Sequence, residues 1–155
     1  MPERFIDDYL LYLLARASAQ ISGQFHARLR RHGLQVPEWR VLASLSSGDG
    51  LTVGELAAIA LLRQPTMTKT IDRMERAGLV VRRPGAADRR QVQVFATPAG
   101  RRRVRAALRD AKAHEAEVLS RYGADESARL KEMLLSLIER TGAAEDEEKV
   151  KAAIR

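Results

Sequence analysis

A chain of 155 residues, 45 % apolar and 30 % charged, has the size and balance of one globular domain or two small entangled ones, and not of a disordered or fibrous protein. It has no cysteine, which rules out disulfides, thiolate metal sites and thiol-based redox sensing. The net charge is +7, but residues 63–105 hold twelve Lys/Arg against Asp72, Glu75 and Asp88, so that segment alone is +9 and the rest of the chain is −2. Such a concentration is either the footprint of a phosphate-binding surface or a solvated, solubilising one.

In chain order, Leu10, Leu14, Ile21, Phe25 and Leu29 put an apolar stripe on a helix expected from about Phe5 to Arg31, with Gly33 as its stop. Pro37 suits a first helical turn, followed by Trp39, Leu42 and Leu45. Leu51 to Val53 can form a very short strand. Thr52 and Glu55 have the spacing of a capping box, which opens a helix reaching about Leu61. Pro65 opens the next helix and Gly78 closes it. Strands are expected over Leu79 to Arg83 and Gln91 to Ala96, joined by a loop that begins at Pro84-Gly85. Thr97-Pro98 then starts a helix ending near Tyr122 and Gly123. Asp125 is placed as the cap of a last helix, whose apolar face holds Leu130, Met133, Leu134, Leu137 and Ile138 and which stops at Gly142. The acidic stretch Glu145 to Glu148 is left as a frayed or helical tail.

Two helices joined by a short turn and followed by a hairpin describe a winged helix-turn-helix. The expected fold is mainly α with a small β-hairpin wing. Residues 35–97 form the winged domain, and 1–34 and 98–155 supply interlocking dimerisation helices. The terminal helices carry more apolar surface than one chain can cover, which points to a homodimer.

On the helix from Pro65 to Ala77, Met67, Ile71 and Met74 share one side at about 100° per residue. Lys69, Arg73 and Arg76 lie roughly opposite, with Thr66 beside them. Short polar groups early and cations later suit a helix in a DNA major groove, although a solvated face has the same composition. At the hairpin tip Asp88 and Arg90 stand two apart, flanked by Arg82, Arg83 and Arg89. An arginine on a narrow ribbon can enter a minor groove. Asp88 would repel DNA, so its expected part is to orient Arg90 through a bidentate pair; a surface ion pair that stiffens the turn is the alternative. Arg101, Arg102, Arg103 and Arg105 open a helix where cations oppose the dipole, which fits phosphate contact or a plain charge run.

The segments Trp39-Arg40-Val41-Leu42, Leu56-Ala57, Pro65-Thr66-Met67-Thr68-Lys69-Thr70-Ile71-Asp72-Arg73-Met74-Glu75-Arg76-Ala77-Gly78-Leu79-Val80 and Asp88-Arg89-Arg90-Gln91-Val92-Gln93-Val94-Phe95-Ala96-Thr97-Pro98-Ala99-Gly100 closely resemble the MarR family of bacterial regulators. The Asp-x-Arg tip followed by a strand and Thr-x-x-Gly carries most of the specificity. The resemblance runs from about Tyr9 to Glu139. It implies a triangular homodimer that binds double-stranded DNA at a palindromic operator. It also implies recognition-helix positions at Thr66, Thr68, Lys69 and Arg73, with Arg90 at the wing tip held by Asp88. One departure is Gln64, standing where a better helix cap is usual.

Many family members release DNA on binding a small aromatic acid or a related compound. Arg16, Gln20 and Gln24 share a helical face, and Arg16 with Phe25 and Trp39 could hold a carboxylate or phosphate on an aromatic ligand; a solvated stripe and a core tryptophan are the alternative. The N-terminal half is also similar to family members that sense acyl thioesters of phenolic acids, and that resemblance implies an acyl-CoA thioester as a further candidate effector. His26 and His32 do not share a helix face for a metal, no cofactor is implied, and no phosphate loop, catalytic triad or His-Glu-x-x-His motif marks an enzyme. No apolar run is long enough to span a membrane and the N-terminus has no small-residue cleavage site, so a cytoplasmic protein without a membrane partner is expected. The rival reading is an architectural DNA binder with neither effector nor preferred site.

Overall fold

A computed structural model describes residues 4–86 and 88–153, with side chains to residue 142. A short 3-10 turn, Phe5–Asp8, precedes six helices: α1 Leu10–Arg31, α2 Val36–Ser44, α3 Val53–Ile59, α4 Gln64–Arg76, α5 Pro98–Leu119 and α6 Ala124–Ala153. Strands β1 Val80–Pro84 and β2 Val92–Ala96 lie between α4 and α5. No helix of the described residues is long and apolar enough to cross a membrane.

The chain divides into two units, residues 1–114 and 115–155. The core of the first joins Leu29 of α1, Val41 and Leu42 of α2, Leu56 of α3, Met67, Ile71 and Met74 of α4, Val94 of β2, and Val104 and Ala107 of α5. The apolar side of α4 and the Val41-Leu42 side of α2 thus face the centre, whereas α1 gives it Leu29 while Leu10 and Ile21 of its expected stripe stay exposed. In the second unit Lys131 reaches Glu115 at 2.9 Å. There α6 exposes Met133, Leu135 and Ile138.

Local chemistry explains most boundaries. The Thr52 hydroxyl accepts the Glu55 N–H at 3.2 Å, and the Glu55 carboxylate accepts the Thr52 N–H at 2.7 Å; this capping box holds the Glu55 carboxyl below its ordinary range. Gly33 and Gly78, just past the ends of α1 and α4, have φ of +65° and +70°, the left-handed turn that glycine makes without strain. β1 and β2 pair antiparallel from Val80↔Ala96 to Pro84↔Val92. Leu51 adds the short bridge anticipated for it, to Val94.

Several expected boundaries change: β1 and β2 begin one residue later, and α3 and α5 end two or three residues earlier, than expected. Tyr9 is extended, with ψ 117°, so the first helix begins at Leu10 and not at Phe5; Asp7 and Asp8 just before it offer side-chain acceptors that compete with helical backbone bonds. Arg63, not Gln64, is the cap residue of α4, and it makes no side-chain cap bond. Asp125 lies inside the first turn of α6, whose preceding residue is Gly123: the Ser127 N–H closes on the Gly123 carbonyl at 3.0 Å. Finally α6 runs through Gly142 and the acidic tail to Ala153. A single glycine costs a helix about 1 kcal/mol against alanine, and the alanines and glutamates that follow are helix formers. Of the expected dimerisation segments, residues 1–3 and 154–155 lie outside the described residues.

Candidate nucleic-acid interface

The recognition-type helix α4 is sharply two-sided. Met67 and Ile71 are fully buried, and Met74 nearly so. Thr66, Thr68, Lys69, Arg73 and Arg76 are exposed. The Thr68 hydroxyl donates to the Gln64 carbonyl at 3.0 Å. Arg73 is already engaged: its Nε lies 3.3 Å from the Glu38 carboxylate, and its Nη2 donates to Gln35 Oε1 at 3.2 Å. It ties α2 to α4 while half of its side chain stays exposed. The Arg76 Nε donates to the Asp72 carbonyl at 3.2 Å.

At the wing, Asp88, Arg89 and Arg90 are all exposed. The expected side-chain fork between Asp88 and Arg90 is not what the structure shows. Asp88 Oδ1 accepts the backbone N–H of Arg90 at 2.9 Å, an Asx-type turn. The Gln91 N–H adds a bond to the Asp88 carbonyl at 3.1 Å, and the Gly85 N–H one to the Gln91 carbonyl at 2.7 Å. Asp88 thus shapes the chain under Arg90, whose guanidinium makes no bond among the described residues. A local bond two residues long outcompetes a flexible ion pair in water.

The base of the wing holds a feature that residue spacing did not single out. Arg82 Nη2 donates to Asp72 Oδ1 at 2.6 Å and its Nη1 to Glu75 Oε2 at 2.6 Å. Its backbone N–H reaches Glu75 Oε1 at 2.9 Å. Glu75 is held below the usual carboxylate range, first by that backbone N–H and then by the guanidinium. The seven-residue step from Glu75 to Arg82 crosses the turn at Gly78, so only the fold brings them together.

The arginines at the start of α5 divide. Arg101 Nη1 donates to the Ala96 carbonyl at 2.6 Å, and Arg103 Nη2 to the Gly33 carbonyl at 3.0 Å. Arg102 and Arg105 are exposed. The Thr-x-x-Gly signature has a plain cause. The Thr97 hydroxyl donates to the Gly78 carbonyl at 2.6 Å and accepts the Gly100 N–H at 3.1 Å. A Cβ on Gly100 would lie 2.1 Å from the Leu79 carbonyl oxygen, so only glycine lets α5 pass that close to the strand entry.

Of the three residues expected around an aromatic ligand, two come together. Phe25 meets Trp39 edge-on, with ring centroids 5.1 Å apart. His114 joins them, 5.8 Å from the Phe25 ring and only 5 % exposed. Its Nε2 is 3.4 Å from Gln24 Oε1. Arg16 lies apart: nine residues before Phe25 it is on the opposite side of α1 and about 13 Å away along the axis. His114 stands ninety residues from its partner Gln24 in sequence, and no local pattern marks it.

The MarR family profile matches residues 32–91. The repressor Rv2887 of Mycobacterium tuberculosis is 33 % identical over 131 residues, 84 % of this chain and 94 % of that protein. A solved MarR family regulator of Silicibacter pomeroyi, SPO1453, superposes with a TM-score of 0.80 at 40 % identity, covering 90 % of this chain and 99 % of that one. CouR of Rhodococcus jostii, solved bound to p-coumaroyl-CoA, superposes with a TM-score of 0.77 at 26 % identity, over 87 % and 95 % of the two chains. Some relatives are longer, and the match spans 56 % of one Pseudomonas putida repressor. With a two-stranded wing beside a helix buried on one face and cationic on the other, and with relatives matched over nearly their whole length, the chain belongs to the MarR family of winged helix-turn-helix transcriptional regulators and is not an enzyme.

Proposed function

We propose that this regulator is a repressor that binds a palindromic operator as a homodimer and releases it when an anionic aromatic compound or its acyl-CoA thioester binds. The observation that carries the DNA reading is that, among the described residues, the side chains of Thr66, Lys69 and Arg90 make no hydrogen bond or ion pair, whereas Arg73, Arg82, Arg101 and Arg103 are each engaged. Thr66, Thr68 and Lys69 lie early on α4, where a helix entering a major groove meets base edges. Arg89 and Arg90 sit on a stiff tip suited to a minor groove. Arg73 keeps enough exposure to add a phosphate contact while bracing α2. The dimer reading rests on the apolar faces of the terminal segments: Phe5 is 80 % exposed, Leu11 61 %, Met133 63 % and Ile138 65 %.

Selection of bound sequences from random duplex DNA tests this. A palindromic site should emerge, preferred by roughly 10³ or more over bulk DNA. Equal binding to all duplexes would make the protein an architectural one. On the selected site, Lys69→Ala should change the ranking of operator variants. Arg102→Ala should at most weaken all of them alike and flatten the salt dependence.

The effector reading is supported by the Phe25, Trp39 and His114 cluster, an aromatic corner beside an imidazole, and by the ligand solved in CouR. Arg16 of the same chain is too far along α1 to share that cluster, so any carboxylate or phosphate contact it makes belongs to another part of the ligand. Calorimetry with aromatic acids and their thioesters, run beside operator-release assays, decides it. A ligand that binds without changing operator affinity has no differential affinity for the two states and cannot act as inducer.

A further inference from the structure

We propose that Arg82 is the positioning residue of the DNA-binding surface: its fork to Asp72 and Glu75 sets the angle at which the wing leaves α4, and so the register between Lys69 in one groove and Arg90 in the next. The inference rests on the DNA reading above.

A two-stranded ribbon is marginally stable by itself and its direction is soft. At the base of this one Val80 and Ala96 are buried in the core; among the described residues its outermost hydrogen bonds to the rest of the domain lie at one level. Arg82 pairs with Val94 across the hairpin. On the far side Val94 exchanges backbone bonds with Leu51, at 2.8 and 3.2 Å. On the near side Arg82 is bound to α4 by its two guanidinium contacts at 2.6 Å and its backbone N–H at 2.9 Å. Past this level Pro84 and Val92 close the strand pairing, and Val92 is 51 % exposed. Everything from Arg83 to Gln93 therefore takes its direction from the row below it. Asp72 and Glu75 are three apart on α4, the spacing that places two carboxylates side by side on one helix face. A planar guanidinium can span them with separate nitrogens, whereas a lysine offers one point charge. Lys69 is three residues before Asp72 on the same helix, and Arg90 is eight residues beyond Arg82 on the ribbon. The fork is thus a direct polar link between the helix and the ribbon that carry the two expected groove contacts.

Arg82 also neutralises two carboxylates close to the DNA-facing cations, so the experiment must separate charge from geometry. Operator affinity is measured for wild type, Arg90→Ala, Arg82→Gln and the double variant, with circular dichroism as a control for folding. In wild type Arg90→Ala should lower affinity by about fivefold or more. In the Arg82→Gln background the same change should cost less than about twofold, because the wing no longer holds its register. Chemical protection in the minor groove should fade in Arg82→Gln while major-groove protection at α4 remains. Removing the carboxylates too, in Arg82→Gln with Asp72→Asn and Glu75→Gln, should not restore the Arg90 effect. Should Arg82→Gln not fold, Arg82→Lys takes its place in the cycle, and the Arg90 effect should again shrink. An undiminished Arg90 effect in Arg82→Gln or Arg82→Lys, or its return in the triple variant, overturns the proposal. If Arg90→Ala costs nothing in wild type, the wing reading itself fails, and that result is distinct from the other two.

Discussion

Gly100 and Leu61 are two positions where backbone geometry and side chain pull in opposite directions. At Gly100 a methyl group would meet the Leu79 carbonyl at 2.1 Å and Leu42 at 3.1 Å. Backbone cannot yield as a flexible side chain can, so Gly100→Ala should destabilise the protein by about 2 kcal/mol or more, read as a fall in thermal unfolding temperature. Leu61, in the turn between α3 and α4, has φ +56° and is 80 % exposed. A left-handed conformation costs a branched residue roughly 1–2 kcal/mol, and the exposed side chain returns almost no packing. Leu61→Gly should therefore stabilise the chain by about 0.5–1 kcal/mol, after the greater freedom of glycine in the unfolded state is subtracted. An unchanged or lower unfolding midpoint in denaturant would show that Leu61 packs in solution.

Between elements, the join of α4 to β1 has a defined pH dependence. Glu75 is held below its ordinary value of 4.5, first by the Arg82 backbone N–H and then by its guanidinium. A depressed carboxyl contributes stability that is fully present above its unfolded value and is lost as pH falls through the folded one. Hydrogen-exchange protection at the Arg82 amide should thus be constant above about pH 5 and fall below 4.5. Glu75→Gln should remove this pH dependence, together with part of the protection at neutral pH. Asp110, which accepts from or pairs with His32 Nε2 at 2.7 Å, has a lowered carboxyl for the same kind of reason, the His32 hydrogen bond first. Its acid loss should appear where α1 meets α5, separately from the wing.

At the scale of the whole molecule, the exposed apolar faces carry the proposed assembly. On α6 the residues Leu130, Met133, Leu134, Leu137 and Ile138 all remain at least 36 % exposed, and they recur at helical spacing. On α1 only Leu29 is fully buried among the apolar residues of a 22-residue helix. Burying such side chains is worth about 1.5–3 kcal/mol each, enough to couple folding of the ends to association. Light scattering at micromolar concentration should report a dimer. Ile138→Glu with Met133→Glu should shift it toward monomer and lower an unfolding temperature that, in wild type, rises with protein concentration. A folded wild-type monomer at that concentration would refute the dimer reading.

Features whose causes lie within a few residues were legible in the sequence. The buried face of α4, the capping box at Thr52 and Glu55, the glycines at 33 and 78 and the two hairpin strands all follow from local spacing and backbone preference. So did the fold class, because the order of those elements admits few architectures. The sequence also marked which segment is cationic, but not which cations are free. Arg73, Arg82, Arg101 and Arg103 look like Lys69 and Arg90 in a row of letters, yet the fold commits each of the four to an acceptor. The cluster of Phe25, Trp39 and His114 is likewise only half visible, because Arg16, expected beside it, lies on the opposite side of α1. A guanidinium bonds whichever carboxylate or carbonyl comes within reach, and an aromatic ring packs on whichever face is dry. Reach and dryness depend on segments tens of residues away, so the tertiary structure alone decides which groups remain to meet DNA or ligand.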